Sequence, residues 1–201
     1  MPALVDYAAR FALIREAAFA IVLRDGPHAL TRRAVAAELA LSVNSVCRLV
    51  APDVDMAQLA ADDVRLRRRL YREALPREDQ RARGLAILCR LIPDEESRIP
   101  EELVWLRLAV SGNDVLTPDL HRRDVEISDA IAWTLTAYDV AEGDREHEAT
   151  RLRALVDGLT LACCTGRSTA EEAVAALSRH LGILADPTPM VELVETTTLA
   201  P

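Results

Sequence analysis

This 201-residue sequence predicts an all-α fold of nine helices. Three observations carry that expectation. Ala and Leu are abundant while Gly occurs seven times, a composition that favours helix throughout. No alternating Val, Ile or Thr run bounded by turn residues reads as a strand. Apolar positions instead recur at helical spacing, in segments broken by Pro and Gly.

The first helix spans about Val5–Arg24, with Tyr7, Phe11, Ile14, Ala18 and Ile21 on one stripe. Two short helices follow within Thr31–Val50. The fourth begins near Asp53 and ends before Pro76, since a helix usually stops ahead of a proline. The fifth covers about Glu78–Leu91 and stops at Pro93. The sixth opens on Pro100, a favoured first-turn residue, and ends at Gly112. The seventh runs from Pro118 to about Tyr138, and the eighth from about His147 to Cys164, ending near Gly166. The ninth starts at Ser168 or Thr169, with Glu171-Glu172 in a capping-box-like first turn, and ends near Gly182. From Asp186 the chain loses helical periodicity and reads as a mobile tail.

Thr31–Val50, TRRAVAAELALSVNSVCRLV, has the layout of a helix-turn-helix. Val35, Leu39, Leu41, Val46 and Leu49 or Val50 are the apolar positions of two crossed helices. The positions between them are short and polar, or basic: Thr31, Arg32, Arg33, Ser42, Asn44, Ser45 and Arg48. Such side chains donate to phosphates and reach base edges without filling a groove, so the partner they imply is duplex DNA. Thr31 and Ser42 are also placed to cap the two short helices, a role that needs no DNA.

From about Phe11 to Leu59 the chain resembles the Tet repressor (TetR) family of bacterial regulators. The likeness rests on IREAAFAIVLRDG, LTRRAVAAELA and LSVNSVCRLV. The family usually has Gly where this chain has Ala40, Lys-Gly at Val43-Asn44, Tyr at Cys47 and Phe at Val50. A Lys common at the start of the family's fourth helix is replaced around Asp53. Further on, LCRLIPDEESRIPEELVWLRLAV and LRALVDGLTLACCTGRSTAEEAVAALSRHLGIL resemble the subgroup that includes betaine-synthesis repressors. The resemblance implies a DNA-binding head at residues 1–52, a helical ligand-binding and dimerisation body at 53–185 and a tail at 186–201. It implies a regulator, read here as a repressor, that binds a palindromic operator as a homodimer and is released by a small-molecule effector. The alternative is a dimeric ligand- or protein-binding module whose helix-turn-helix no longer binds DNA usefully.

Two stripes on the last helices support a dimer. Leu152, Leu155, Val156, Leu159 and Cys163 form one; Val174, Leu177 and Leu181 form the other, with Leu184 in line. Gly158 and Ala162 would permit close helix approach. Either stripe could equally face its own chain's core. An effector pocket would be mainly apolar. Its candidate lining is Leu88, Cys89, Ile92, Trp105 and Leu108, with Ile131, Thr134, Leu135 and Tyr138; each could equally be plain core.

The net charge of −8 argues against broad nonspecific nucleic-acid binding. Its distribution is uneven. Residues 1–75 hold 11 arginines against nine acidic residues, while residues 76–201 hold 13 against 23. A slightly basic head on an acidic body suits one-ended contact with DNA. All 24 basic residues are arginine, which reads as the codon usage of a GC-rich genome. The run Arg65, Arg67, Arg68, Arg69 and Arg72 reads as a solvated face paired with the acidic body. The four cysteines lack C-x-x-C spacing, and no signal peptide or apolar run of about 18 residues is present, so a cytoplasmic protein with reduced thiols and no membrane contact is expected. Four histidines on separate elements, no Gly-rich phosphate loop and no G-x-S-x-G argue against an enzyme, a metal site or a bound cofactor. Asp94-Glu95-Glu96 reads as a solvated interhelix cluster.

Overall fold

The computed structural model describes residues 7–72 and 80–185. The expected tail, and the helix ends expected at residues 5–6 and 73–79, lie outside the described residues. Within them are nine helices: α1 (Tyr7–Asp25), α2 (Arg32–Glu38), α3 (Val43–Leu49), α4 (Met56–Arg72), α5 (Gln80–Cys89), α6 (Ile99–Ala109), α7 (Thr117–Ala137), α8 (Arg145–Cys164) and α9 (Ala170–Ala185). No strand occurs among the described residues. The sequence places the end of α9 too early. Gly182 keeps helical geometry and the helix runs on to Ala185.

Turn chemistry sets the helix ends. At Gly166 the backbone turns left-handed, and the Arg167 and Gly166 amides donate to Ala162 and Cys163 carbonyls at 2.9 and 3.0 Å, closing α8. The same motif closes α2 without a glycine. Ala40 adopts a φ of 51°, and the Leu41 and Ala40 amides donate to Ala36 and Ala37 carbonyls at 2.8 and 3.1 Å. The α9 start is a reciprocal capping box. Thr169 Oγ1 accepts from the Glu172 amide at 3.1 Å, and Glu172 accepts from the Thr169 amide at 2.9 Å.

The chain divides into two compact units. The first gathers α1–α4, α6 and the first two turns of α7. Its core buries Ile14, Ala18, Ile21 and Val22 of α1 against Val35, Val46 and Val50 of the short helices. Leu59, Ala60, Ala61 and Val64 of α4 complete it with Val104 and Leu108 of α6. Tyr7 does not share the α1 stripe: it is largely exposed, and the stripe begins at Phe11. The boundary expected at residue 52 falls inside this unit, because the apolar face of α4 is buried on α1.

The second unit holds α5, α8, α9 and the rest of α7. Leu88, Ile92, Ile131 and Leu135 pack there with Leu152, Val156, Leu177 and Leu181. Gly84 lets α5 approach α7 closely: a Cβ there would meet the Thr134 methyl at 3.3 Å and Tyr138 at 3.4 Å.

Candidate nucleic-acid interface

The helix-turn-helix is built from its caps outward. Thr31 Oγ1 accepts from the Ala34 amide at 3.0 Å, and Ser42 Oγ accepts from the Ser45 amide at 3.1 Å. Each hydroxyl satisfies an amide that the helix cannot, as the sequence predicts. Val35, Val46 and Val50 are the buried contacts between the crossed helices, with Leu39 and Leu49 partly buried beside them. Leu41 is not in this core; it sits exposed in the turn beside exposed Val43.

The exposed positions of the motif are spread over α2, the turn and α3. Thr31, Arg33, Ser42, Asn44 and Arg48 are all exposed there, on one continuous segment. Ser45 is half-buried, and its hydroxyl lies 2.8 Å from that of Ser42. Arg32 differs from the rest. Its guanidinium donates to the carbonyls of Val50 at 2.7 Å and Ala51 at 2.6 Å, and to Pro52 and Val54 at 3.2 Å. It thereby clamps the loop between α3 and α4 onto α2, rather than pointing its donors outward. At the far end of α2, Arg24 makes a two-pronged pair with Glu38 at 3.2 and 3.0 Å. Hydrogen bonding to Arg24 holds the Glu38 carboxyl below the usual range.

The arginine run on α4 pairs with acidic residues of the later chain, as the sequence suggests, but one of its members, Arg68, is buried rather than solvated. Arg65 pairs with Asp62 and with Asp119, and Arg67 pairs with Asp63 at 2.8 Å while lying over the Phe19 ring. Arg68 is only 6% exposed, over the Trp105 ring and paired with Glu102 at 2.6 Å. Asp62 and Asp63 stand within one helical turn of their arginines, while Asp119 and Glu102 were hidden by their distance along the chain.

Sequence reasoning missed two groups at the opposite end of α4. Asp55 caps that helix, accepting from the Ala57 amide at 2.7 Å, and Asn113 donates to its other oxygen at 3.2 Å. Gln58 donates to Asp119 at 2.9 Å. An Asp placed just ahead of an Ala-rich helix was a readable cap signal; its pairing with Asn113, 58 residues on, was not.

The remaining candidates distribute as follows. Among the proposed pocket residues, Leu88, Cys89, Ile92, Ile131, Thr134 and Leu135 are buried in the second unit's core, with Tyr138 partly buried against it. Trp105 and Leu108 belong to the first unit's core, so the nine do not share one cluster. Among the proposed dimer residues, Leu152, Val156, Cys163, Leu177 and Leu181 are buried in their own chain's core and have no surface left for a partner. Leu155, Leu159 and Val174 are half-buried. The stripes are periodic as expected, and five of the eight positions face inward, because α8 and α9 pack on each other and on α5 and α7.

No cysteine is in a disulfide: Cys47 is exposed, while Cys89 and Cys163 are buried. Burial pushes the Cys89 thiol up to about 11 and the Cys163 thiol upward too. Asp94 pairs with Arg98, and Glu96 accepts from the Ala170 amide at 3.0 Å, so that acidic cluster fastens loops rather than standing in solvent alone. Among the described residues no group of three or more His, Cys, Asp or Glu is placed to hold a metal ion. No described helix is long and apolar enough to cross a membrane.

No protein-family model matches the chain. The HTH-type transcriptional regulator PksA of Bacillus subtilis (strain 168) is 27% identical over 179 residues, covering 80% of this chain and 82% of that protein. A transcriptional regulator of Rhodococcus sp. Rha1 superposes with a TM-score of 0.73 at 20% identity, over 88% of this chain and 96% of its own. A Rhodococcus sp. regulator assigned to the TetR family gives 0.72 at 22% identity, over 89% and 100%. A regulator of Saccharomonospora viridis, solved in complex with choline, gives 0.62 at 20% identity, over 94% and 97%. At these identities the likeness is one of architecture: this chain has the all-helical fold of those transcriptional regulators.

Proposed function

We propose that this protein is a DNA-binding transcriptional regulator of the TetR type, a repressor that grips a palindromic operator as a homodimer and lets go when a small molecule binds. The observation that carries the DNA reading is the pair of capped short helices, which present Thr31, Arg33, Ser42, Asn44 and Arg48 outward together. Asn44 and Arg48 are the longest polar side chains on α3 and take the base-reading role; Thr31, Arg33 and Ser42 take the backbone. Ser45 supports the Ser42 cap, and Arg32 holds the loop that leads into α4.

A dimer suits this reading, because a two-fold protein matches a two-fold operator. The faces of α8 and α9 left exposed are the surface for it, with Leu161 47% and Ile183 39% exposed. Gly158 and Gly182 lie on the same helices with nothing of their own chain within 4 Å of an added Cβ. Release works through α4. That helix is tied along its length to residues 113–119 and to Glu102, by Asp55–Asn113, Gln58–Asp119, Arg65–Asp119 and Arg68–Glu102. A shift of that segment carries α4 with it, and an effector achieves the shift only by binding the DNA-incompetent state more tightly. The choline held by the S. viridis regulator supports the likeness to betaine-synthesis repressors and makes a quaternary ammonium the first effector class to test.

The rival is a dimeric binding module without useful DNA affinity. It is favoured by one observation: Arg32, one of three arginines on α2 and α3, is engaged on its own chain. A gel-shift of the full chain on the DNA flanking its own gene separates the two. Sequence-specific retardation, lost in Arg48→Ala, supports the regulator; no retardation at low salt supports the module.

A further inference from the structure

We propose that the cleft between the turn ahead of α2, the first turn of α4 and the turn after α6 binds a small protonated amine on Asp55. The cleft lies wholly within the first unit, is half-open to solvent and holds about 410 Å³, within the range of about 300–1,000 Å³ that small-molecule sites occupy. Pro27, Leu30 and Ala57 supply apolar wall. His28, Asp55, Ser111 and Asn113 supply the polar atoms.

The hydrogen-bond account of those atoms names the ligand. Asp55 accepts once on each oxygen, from Ala57 and Asn113. An ionised carboxylate offers about four acceptor positions, so two are left over. The Ser111 hydroxyl spends its proton on the Leu108 carbonyl at 2.7 Å, and so is left as an acceptor. Asn113 commits its oxygen to the Val115 amide at 3.0 Å and an amide proton to Asp55. No arginine lines the cleft. The acceptor positions left over belong to Asp55 and Ser111, beside the His28 imidazole and the second Asn113 N–H, and Asp55 is the one carboxylate of the lining. A cation with N–H donors and a short apolar body meets those acceptors and the apolar wall. A quaternary ammonium has the charge but no N–H to give, so this site differs in chemistry from one that holds choline. The assignment does not depend on whether α3 reads DNA.

The test uses the full-length protein and n-butylammonium chloride, titrated at constant ionic strength against sodium chloride. Imidazole signals are followed by NMR, with His28 assigned from a His28→Gln variant. Saturable shifts of His28, with those of His121 and His147 unmoved, are expected. Asp55→Asn keeps an N-cap side chain but loses the charge, and should weaken binding about tenfold. Should that variant fail to fold, Ser111→Ala decides in its place, with a several-fold loss expected. No saturable shift of His28 overturns the proposal, as does unchanged affinity in the folded variant. Tetramethylammonium binding as tightly as n-butylammonium would overturn the N–H assignment.

Discussion

Replacing Arg32 by Ala separates a clamp from a phosphate contact. In the structure its guanidinium bonds four carbonyls, of which those of Val50 and Val54 are partly buried. Removing a partner from buried acceptors costs about 1–3 kcal/mol. The α3–α4 loop should loosen by that amount, read as a lowered urea midpoint with an unchanged slope. The salt dependence of DNA binding should barely change, because Arg32 gives no donor to a phosphate. With Arg33 and Arg48 as the exposed arginines of α2 and α3, a dimer neutralises about four phosphates, and log affinity should fall with log salt at a slope of roughly −4. Had Arg32 contributed on both subunits, the slope would be steeper by about 2, and Arg32→Ala would flatten it by that amount. Filter binding over a salt series and urea unfolding of both proteins settle the matter. Unchanged stability together with a flatter slope would refute the clamp.

Ala40→Gly should stabilise the chain by about 1 kcal/mol, since it removes a side chain held at positive φ; an unchanged urea midpoint would count against strain there. Glu102→Ala should cost about 3–5 kcal/mol, because Arg68 would stay buried over Trp105 with its charge uncompensated; calorimetric melting reads this, and a loss under 1 kcal/mol would make the pair dispensable. Leu161→Arg should leave folding intact and give a monomer by sedimentation, whereas an intact dimer would move the interface off this face. Arg48→Ala should weaken specific binding by about 1–3 kcal/mol if it reads a guanine, and unchanged sequence preference would remove it from the base-reading face.

Much of the fold was legible because its signals are local. Caps at Thr31 and Ser42, the box at Thr169–Glu172 and the turn at Gly166 are each written within a few residues. The core stripes of α1, α8 and α9 were legible too, as periodicities. What periodicity does not say is which neighbour a stripe meets. Leu152, Val156, Leu177 and Leu181 have the spacing of a dimer seam, yet they fill their own chain's core. The surface that remains, around Gly158, Leu161 and Ile183, has too few large apolar residues to announce itself. Polar partners across long separations were illegible for the same reason: Arg65 with Asp119 and Arg68 with Glu102 are 54 and 34 residues apart.

The arginine-only composition carries more chemistry than codon usage. A guanidinium is a planar fork that reaches several carbonyls at once and stacks on rings; an ammonium does neither. Arg32 spans four carbonyls, Arg98 reaches those of Arg90 and Ile92, and Arg107 reaches those of Val22 and Leu23 at the end of α1. Arg67, Arg68, Arg81 and Arg83 lie over Phe19, Trp105, Tyr138 and Trp133. These side chains close helix ends and cover aromatic surface that a chain with 3% aromatic residues can ill leave bare. Counting arginines in residues 1–75 therefore overstates the charge available to DNA. An Arg→Lys exchange at position 32 keeps the formal charge and loses the fork. It should lower stability as Arg32→Ala does while leaving the salt slope where it was, and a fully stable Arg32→Lys protein would show that charge, not shape, is what this position requires.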